Sequence, residues 1–531
     1  MFKNSVLLSH MKTVIRLCLF FLLAQLPVRI LADAYDPQNY PPKVDTLSIG
    51  RTNLPIVFID TRCAADTTKA IHYDYRVSAR MKIVSNADGV NYGDTVAHPD
   101  QTADYEGWAA IRYRGNTSFS WSDKKPYNFK TMKGDDPEGE KLNTGLLGMP
   151  KDHTWVLLAP YIDSSLLRDV LVFELARPWM DYTPRCRYCE LVVDGTYYGI
   201  YILAENIRKG KNRLDLDDPG LSGDELTGGY LLQIDRDDEP HFTSAYLATD
   251  SLGRTFRTHN KIFFQYKHPD YEDLMPQQAE YIEHSVRRME DALAADDFAD
   301  PETGYRRYLD PTSFIDYQLS QEFAGNLDAY RLSTNIYKHR DSHDPRFKTA
   351  LWDFDLAFGN TSTANARGTD FWRYQNSYLT SQNAYNKVPF WWMRLMQDPA
   401  YVKQLKERWA QYREQNYSLR RIEATIDSIT TLLRQEGALE RNNTAWKMFS
   451  KSTYDMEIER LKAWIASRVA WMDEQLDCDA NSIVTIPADA PLRKEITAFY
   501  ALSGVRLAAP PQHGIFIVAC KDGTVRKITK K

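Results

Sequence analysis

The chain has 531 residues, 43% hydrophobic and 26% charged, with 66 basic against 71 acidic side chains and a net charge of -5. A chain of this length holds about two to four domains and can bury a large core. The slight acidic balance excludes general nucleic-acid binding, which needs a basic surplus. Tyr (32) and Trp (12) are plentiful, which leaves exposed aromatic surface for glycans or proteins open.

The elements follow in chain order. Lys12 and Arg16 precede or open the apolar run 17–26, too short to cross a bilayer comfortably, and Ala32 is a small residue before Asp33. Residues 1–32 therefore read as a signal peptide, with a single membrane anchor as the competing reading. Cys18 lacks the small residues a lipoprotein site needs. No later stretch is apolar enough to span, so the mature chain is expected to be exported without a transmembrane segment. Residues 33–50 are rich in Pro and Asp and read as an extended leader.

Runs 54–59, 75–84, 108–114 and 127–132 read as strands, with Arg114-Gly115-Asn116-Thr117-Ser118 as the turn joining the last two. Residues 164–177 carry helical spacing, Asp163 can cap the start and Pro178 ends it. Runs 190–193 and 198–203 read as a hairpin through Asp194-Gly195. Four strands, a helix and a hairpin make an α+β lobe over 51–206. From Tyr271 the period turns helical. Ile282, Val286, Met289 and Leu293 form one stripe; further stripes centre on Trp409, Ile426 and Ile465. A hairpin interrupts them over 336–352. Residues 481–531 turn to short strands again, an all-β tail.

Five cysteines follow the leader peptide: Cys63, Cys186, Cys189, Cys478 and Cys520. That number is odd and too small for a disulfide framework. Cys186-Arg-Tyr-Cys189 has no second pair and no His cluster, so a local disulfide or two buried thiols is expected rather than zinc.

The chemistry concentrates where apolar runs hand over to loops. Asp328, with Asn326 nearby, and Asp353 with Asp355 place three carboxylates there, suited to holding Mg²⁺ against phosphates and accepting a hydroxyl proton. Upstream, the Arg114–Ser118 turn is rich in N–H and O–H donors able to approach phosphate oxygens. Lys124, Lys125 and Lys130 follow, and Glu174 on the next helix is spaced to hold such a lysine. His339-Arg340-Asp341 spells a kinase triplet, but Arg346 stands where its Asn belongs and the segment reads as a hairpin turn. Asp316 and Asp235 are expected to face solvent.

A donor-rich loop, a strand Lys, a helix Glu, a hairpin and then a helical lobe with Asp and an Asp-Phe pair is the kinase order. Here the sequence resembles the CotH kinase family, the spore-coat-protein-H-like atypical protein kinases. Ile111–Ser118 with Lys125-Pro-Tyr127, Trp155–Leu158, Asp163–Arg168, Tyr197-Tyr-Gly-Ile-Tyr201 with Glu205, Gly228-Gly-Tyr230, Asn326-Leu-Asp328 and Trp352-Asp-Phe-Asp355 with Gly359 carry it. The resemblance implies an α+β, two-lobed protein-kinase-like fold over 51–480, with a β-rich lobe at 51–206 and a mainly helical lobe at 207–480. It also implies ATP and Mg²⁺ (or Mn²⁺), and transfer of the γ-phosphoryl to Ser or Thr of a protein. Arg114, Gly115, Asn116, Thr117 and Ser118 would cover the phosphates, Lys125 or Lys130 would pair them, and Glu174 would orient that Lys. Glu205 would close the strand leading to the adenine. Asp328 would be the base, Asp353 the metal ligand and Asp355 its alternate. The Asn expected five residues past Asp328 is Ser333, with Asn335 two further on as the substitute ligand. That departure keeps an inactive, kinase-shaped surface or coat protein as the alternative. A carbohydrate-associated surface module rests on aromatic content alone.

The tail loosely resembles a type IX secretion sorting domain, through Phe499-Tyr-Ala-Leu-Ser-Gly-Val-Arg506 and Gly514-Ile-Phe-Ile-Val518. The resemblance implies a secreted or cell-surface protein, with the periplasm as the other destination. Oligomeric state is left open.

Overall fold

The computed structural model describes residues 42–62, 70–249, 255, 260–362, 366–375, 388–448 and 451–478, together with 496–500, 506–507, 509–510, 514–520 and 525–530 in the tail. The leader peptide and Cys63 lie outside the described residues. The chain is α+β. Its N-terminal part forms β1 (Arg51–Thr52), β2 (Ile56–Asp60), β3 (Val77–Val84), β4 (Asn91–Tyr92), β5 (Ala103–Tyr113), β6 (Tyr127–Met132), β7 (Thr154–Leu158), β8 (Cys186–Val193) and β9 (Thr196–Ala204). Helices α1 (Thr117–Ser120) and α2 (Arg168–Ala176) interrupt them.

The strand lobe is more than the expected set of four strands and a hairpin. Seven strands close into a barrel in the order β2-β3-β5-β6-β7-β9-β8. Two pairings close it. β7 pairs antiparallel with β9, and β2 runs parallel to β8, with Ile56 opposite Glu190. Neither pairing is between sequence neighbours, and for that reason periodicity does not announce them. The β8–β9 turn is the one the sequence marks: Asp194 (φ 52°) and Gly195 (φ 85°) both take the left-handed conformation of a tight hairpin.

The second part holds α3 (Gly223–Leu226), β10 (Tyr230–Asp235), β11 (His241–Thr243), β12 (Phe263–His268), α4 (Pro276–Ala294), α5 (Pro311–Ala324), β13 (Thr334–Lys338) and β14 (Phe347–Ala350). Helices α6 (Trp391–Leu395), α7 (Pro399–Glu414), α8 (Leu419–Arg434), α9 (Ala438–Trp446) and α10 (Lys451–Gln475) complete it. The five strands form one antiparallel sheet, β11-β12-β10-β13-β14. The helical stripes of the sequence bury as expected: Ile282, Val286, Met289 and Leu293 are all in the core, as are Trp409, Ile426 and Ile465. α9 returns to cover the barrel. Trp446 Nε1 donates to the Tyr198 carbonyl at 2.8 Å, and the buried Lys124 ammonium bridges the Ile200 carbonyl (2.5 Å) and Asn442 Oδ1 (2.9 Å).

Asp316 is buried, against the expectation of a solvent-facing residue. Its carboxylate accepts from Arg408 at 2.7 and 2.8 Å and from Tyr412 at 3.0 Å. Cys186 and Cys189 are free, buried thiols. Their odd spacing on β8 sends them to opposite faces, into separate core clusters. His339-Arg340-Asp341 sits in the β13–β14 turn, where Asp341 pairs with Lys338 and Arg340 with Asp217. The tail holds β15 (Ile496–Tyr500), β16 (Arg506–Leu507), β17 (Gly514–Cys520) and β18 (Val525–Lys530), an antiparallel sheet ordered β16-β15-β17-β18.

Candidate active site

A cleft of about 430 Å³ lies between the barrel and the five-stranded sheet. Its roof is the β5–β6 connection. Every residue of Arg114–Ser118 lines it, with Asn128 and Val156 from the neighbouring strands. Gly115 has φ +88°, and a Cβ there would lie 2.2 Å from Ser118 Oγ, so the turn needs glycine. Tyr73 Oη donates to the Gly115 carbonyl at 2.7 Å, and Asn116 Nδ2 donates across the cleft to Asp238 at 2.9 Å.

The floor begins where α5 ends. Gly325 takes φ +51° and stops the helix, and Asn326 then ties two loops together. Its Oδ1 accepts from the Asp328 N–H at 3.2 Å while its Nδ2 donates to the Asp353 carbonyl at 2.9 Å. Asp328 thereby comes beside Asp353, and its carboxylate is paired with Arg331. Asp353 holds φ +66°, an uncommon conformation for a residue with a side chain, of the kind that clusters at functional sites. Ser333 Oγ donates to Asp353 Oδ2 at 3.1 Å. The position where an Asn was expected thus touches the Asp directly, and Asn335 also lines the cleft with its Nδ2 on the Ser333 carbonyl.

Electrostatics set these carboxylates apart. Burial, then repulsion from Asp328, pushes Asp353 up to about 6, with Arg114 opposing. Burial also raises Asp355 well above its ordinary range, with Asp353 and Asp169 adding to it. Asp169, on α2, rises to about 7 for the same two reasons, burial and Asp353. Its Oδ1 accepts the Phe354 N–H at 2.7 Å, so α2 holds the segment next to Asp353 directly. Asp235, expected at the surface, is half-buried in the cleft lining and raised by its desolvation there, and accepts the Ser333 N–H at 3.0 Å.

Four residues singled out in the sequence stand apart from the cleft lining. Lys125 is buried and its ammonium donates to the Phe119 carbonyl at 2.5 Å. Lys130 lies further along β6, beyond Asn128. Glu174 is exposed and pairs with Arg177 at 2.7 Å. Five residues past Asp169, it is turned about 140° around the helix, away from the cleft. Glu205 is buried beneath the strand end, holding Arg185 and Tyr182, and it is Asn206 and Ile207 that reach the lining. The cation whose charge Asp353 and Asp169 favour is Arg114, which lies over the Trp352 ring at 5.4 Å. The order of elements pointed to Glu174, and helix phase against the core presents Asp169 to the cleft instead.

Among the described residues, no group of three or more His, Cys, Asp or Glu side chains is gathered tightly enough to hold a metal by itself. An all-oxygen set of Asp353 and a second carboxylate, with the Asn335 amide and Ser333 hydroxyl nearby, does suit Mg²⁺. That ion is characteristically held by one or two carboxylates and completed by water and phosphates.

The CotH kinase protein family matches residues 111–472, from the β5 strand through α10. The chain belongs to the CotH kinase family and is a kinase-like protein. No curated protein matches it.

Proposed function

We propose that this chain is an exported, CotH-type protein kinase that transfers the γ-phosphoryl of ATP to Ser or Thr of a secreted or surface protein. The observation that carries this reading is the convergence of Asp328, Asp353 and the Arg114–Ser118 turn on one cleft. In this reading the barrel (within 51–206) and the helical part (207–480) are the two lobes of a kinase-like fold. The turn donates to the phosphates through its N–H and hydroxyl groups, with Arg114 adding positive charge beside them. Val156, Leu158, Phe173 and Ile207 give the apolar walls a purine needs. Asp353, with Asp355 or Asn335, would hold Mg²⁺ or Mn²⁺, which neutralises charge developing on the phosphates.

The acceptor hydroxyl oxygen bonds to the γ-phosphorus as the bond to the β–γ bridging oxygen breaks. The hydroxyl proton passes to Asp328 and ADP leaves with the electron pair. Arg331 must yield its ion pair for Asp328 to do this. Export rests on the basic and apolar pattern of 1–32, and surface delivery on the resemblance of 481–531 to a sorting domain.

One specific observation favours the alternative of a catalytically weak, kinase-shaped binding protein. The strand lysine and helix glutamate expected to pair, Lys125 and Glu174, do not meet in the cleft.

The test is incubation of the purified protein with γ-labelled ATP and Mg²⁺ or Mn²⁺. Retained label that disappears in Asp328→Ala and Asp353→Ala is the expected result. Neither label transfer nor nucleotide-dependent thermal stabilisation would leave only the binding-protein reading.

A further inference from the structure

Beside the cleft, the outer wall of the barrel carries positive charge that no ion pair answers among the described residues. Arg112 is paired across to Asn128 in the β5–β6 register, and Lys130 is two residues further on the same face. Arg76 stands one residue before the Val77–Ile111 pair, which brings it opposite Arg112, and its Nη2 donates to Asn128 Oδ1 at 2.6 Å. Three cations therefore share one patch around a single amide. None of the three forms an ion pair among the described residues, and Arg76 Nε and Arg112 Nε are buried without a hydrogen-bond partner. Burial, then Arg112, lowers Arg76 to about 10. Burial, then Arg76 and Lys141, lowers Lys130 to about 8. The opposing charges, Glu138 and Asp270, act only from a distance.

Clustered like charges with buried, unanswered donors cost stability unless an anion completes them. Arginine forks match the paired oxygens of a phosphoryl group bidentately, as they do a carboxylate's. Arg112 and Asn128 also line the cleft, so the patch opens directly onto it.

We propose that Arg76, Arg112 and Lys130 form an anion subsite at the rim of the cleft that takes a phosphoryl group. The phosphoryl group belongs either to the nucleotide bound in the cleft or to a second, phosphate-bearing ligand. The subsite does not require phosphoryl transfer and goes beyond the reading above.

Calorimetric titration of the full mature chain in EDTA, with tripolyphosphate, ATP and adenosine, tests it. Tripolyphosphate should bind, and Arg76→Met and Arg112→Met should each weaken it by at least about tenfold, the scale of one lost charge-assisted contact. Lys130→Met should weaken it less, because an ammonium is a point charge where a guanidinium offers a bidentate fork. Circular dichroism and thermal melting verify that each variant is folded, and the milder Lys130→Met keeps the test open if an arginine variant is not. A parallel loss of ATP affinity, with adenosine unchanged, assigns the subsite to the nucleotide's own phosphates. Tripolyphosphate binding that persists under a saturating non-hydrolysable ATP analogue, and is lost in the variants, assigns it to a second ligand. Asp353→Asn should cut label transfer roughly 100-fold or more yet retain tripolyphosphate binding, which separates failure of the kinase reading from failure of this one. Wild-type binding in folded variants, or displacement of tripolyphosphate by sulfate at equal ionic strength, would overturn the subsite.

Discussion

The loop around Arg168 and the floor around Asp353 both bury carboxylates, and only the first gives each of them a guanidinium. Arg168 is fully buried. It pairs with Asp163 and with Glu457 at 2.7 Å, and its Nε donates to the Ala357 carbonyl at 3.0 Å. One side chain thereby joins the loop before α2, the loop after Asp355 and helix α10. In the cleft, burial and then mutual repulsion raise Asp353, Asp355 and Asp169 in pKa, with Arg114 opposing the rise at Asp353 and Asp169. A structural site pairs its charges. A site that must accept a cation or a proton leaves them underpaid, and perturbed carboxyls mark it.

The sharpest break of that contrast is Arg168→Met. It strands two buried carboxylates and should cost about 3–5 kcal/mol in denaturant unfolding. Asp353→Asn should do the opposite, removing a repelled charge. Its melting temperature should match or exceed that of the wild type while label transfer falls roughly 100-fold or more. A melting temperature lowered as far as that of Arg168→Met would erase the distinction between the two regions.

Glu290 offers an intermediate case, a buried carboxyl with neutral donors in place of a guanidinium. Ser244 Oγ lies 2.8 Å from both of its oxygens and Trp391 Nε1 at 3.1 Å. Burial raises it to about 7 even so. The folded state then binds its proton more tightly than the unfolded chain, whose Glu titrates at about 4.3. Its contribution to stability is full below that pH and is lost as pH rises through about 7. Glu290→Gln should flatten the stability profile between those values, measured as the difference from wild type. An unchanged difference across the window would place the carboxyl in a wetter environment than the structure gives it. The smallest effect belongs to Glu174→Gln. An exposed ion pair such as Glu174–Arg177 is worth within about 1 kcal/mol, so neither stability nor label transfer should move appreciably. A large loss of transfer would restore Glu174 to the cleft.

Much of the architecture was legible. The stripes at Ile282–Leu293 and around Trp409, Ile426 and Ile465 became buried helix faces, because helical period is a local property that packing only has to accept. The Asp194-Gly195 turn was legible for the same reason: two left-handed residues are a local requirement. Asp328 and Asp353 were visible as carboxylates at loop entries, and Arg114–Ser118 as a donor-rich turn. Asp235, Asp316 and Asp169 were misjudged or overlooked, because burial of a carboxylate is decided by elements far away in sequence. Arg408 reaches Asp316 from another helix, and Phe354 reaches Asp169 from beyond β14.

The sequence by itself determined the family, the helical stripes, the turns and the residue types the cleft would use. Tertiary structure alone decided that β2 and β8 close a barrel, that α2 presents Asp169 and not Glu174, and that arginines rather than Lys125 face the cleft. The reason is common to all three. Strand partners, helix phase and side-chain facing are fixed by which surfaces pack together, and no local spacing carries that information.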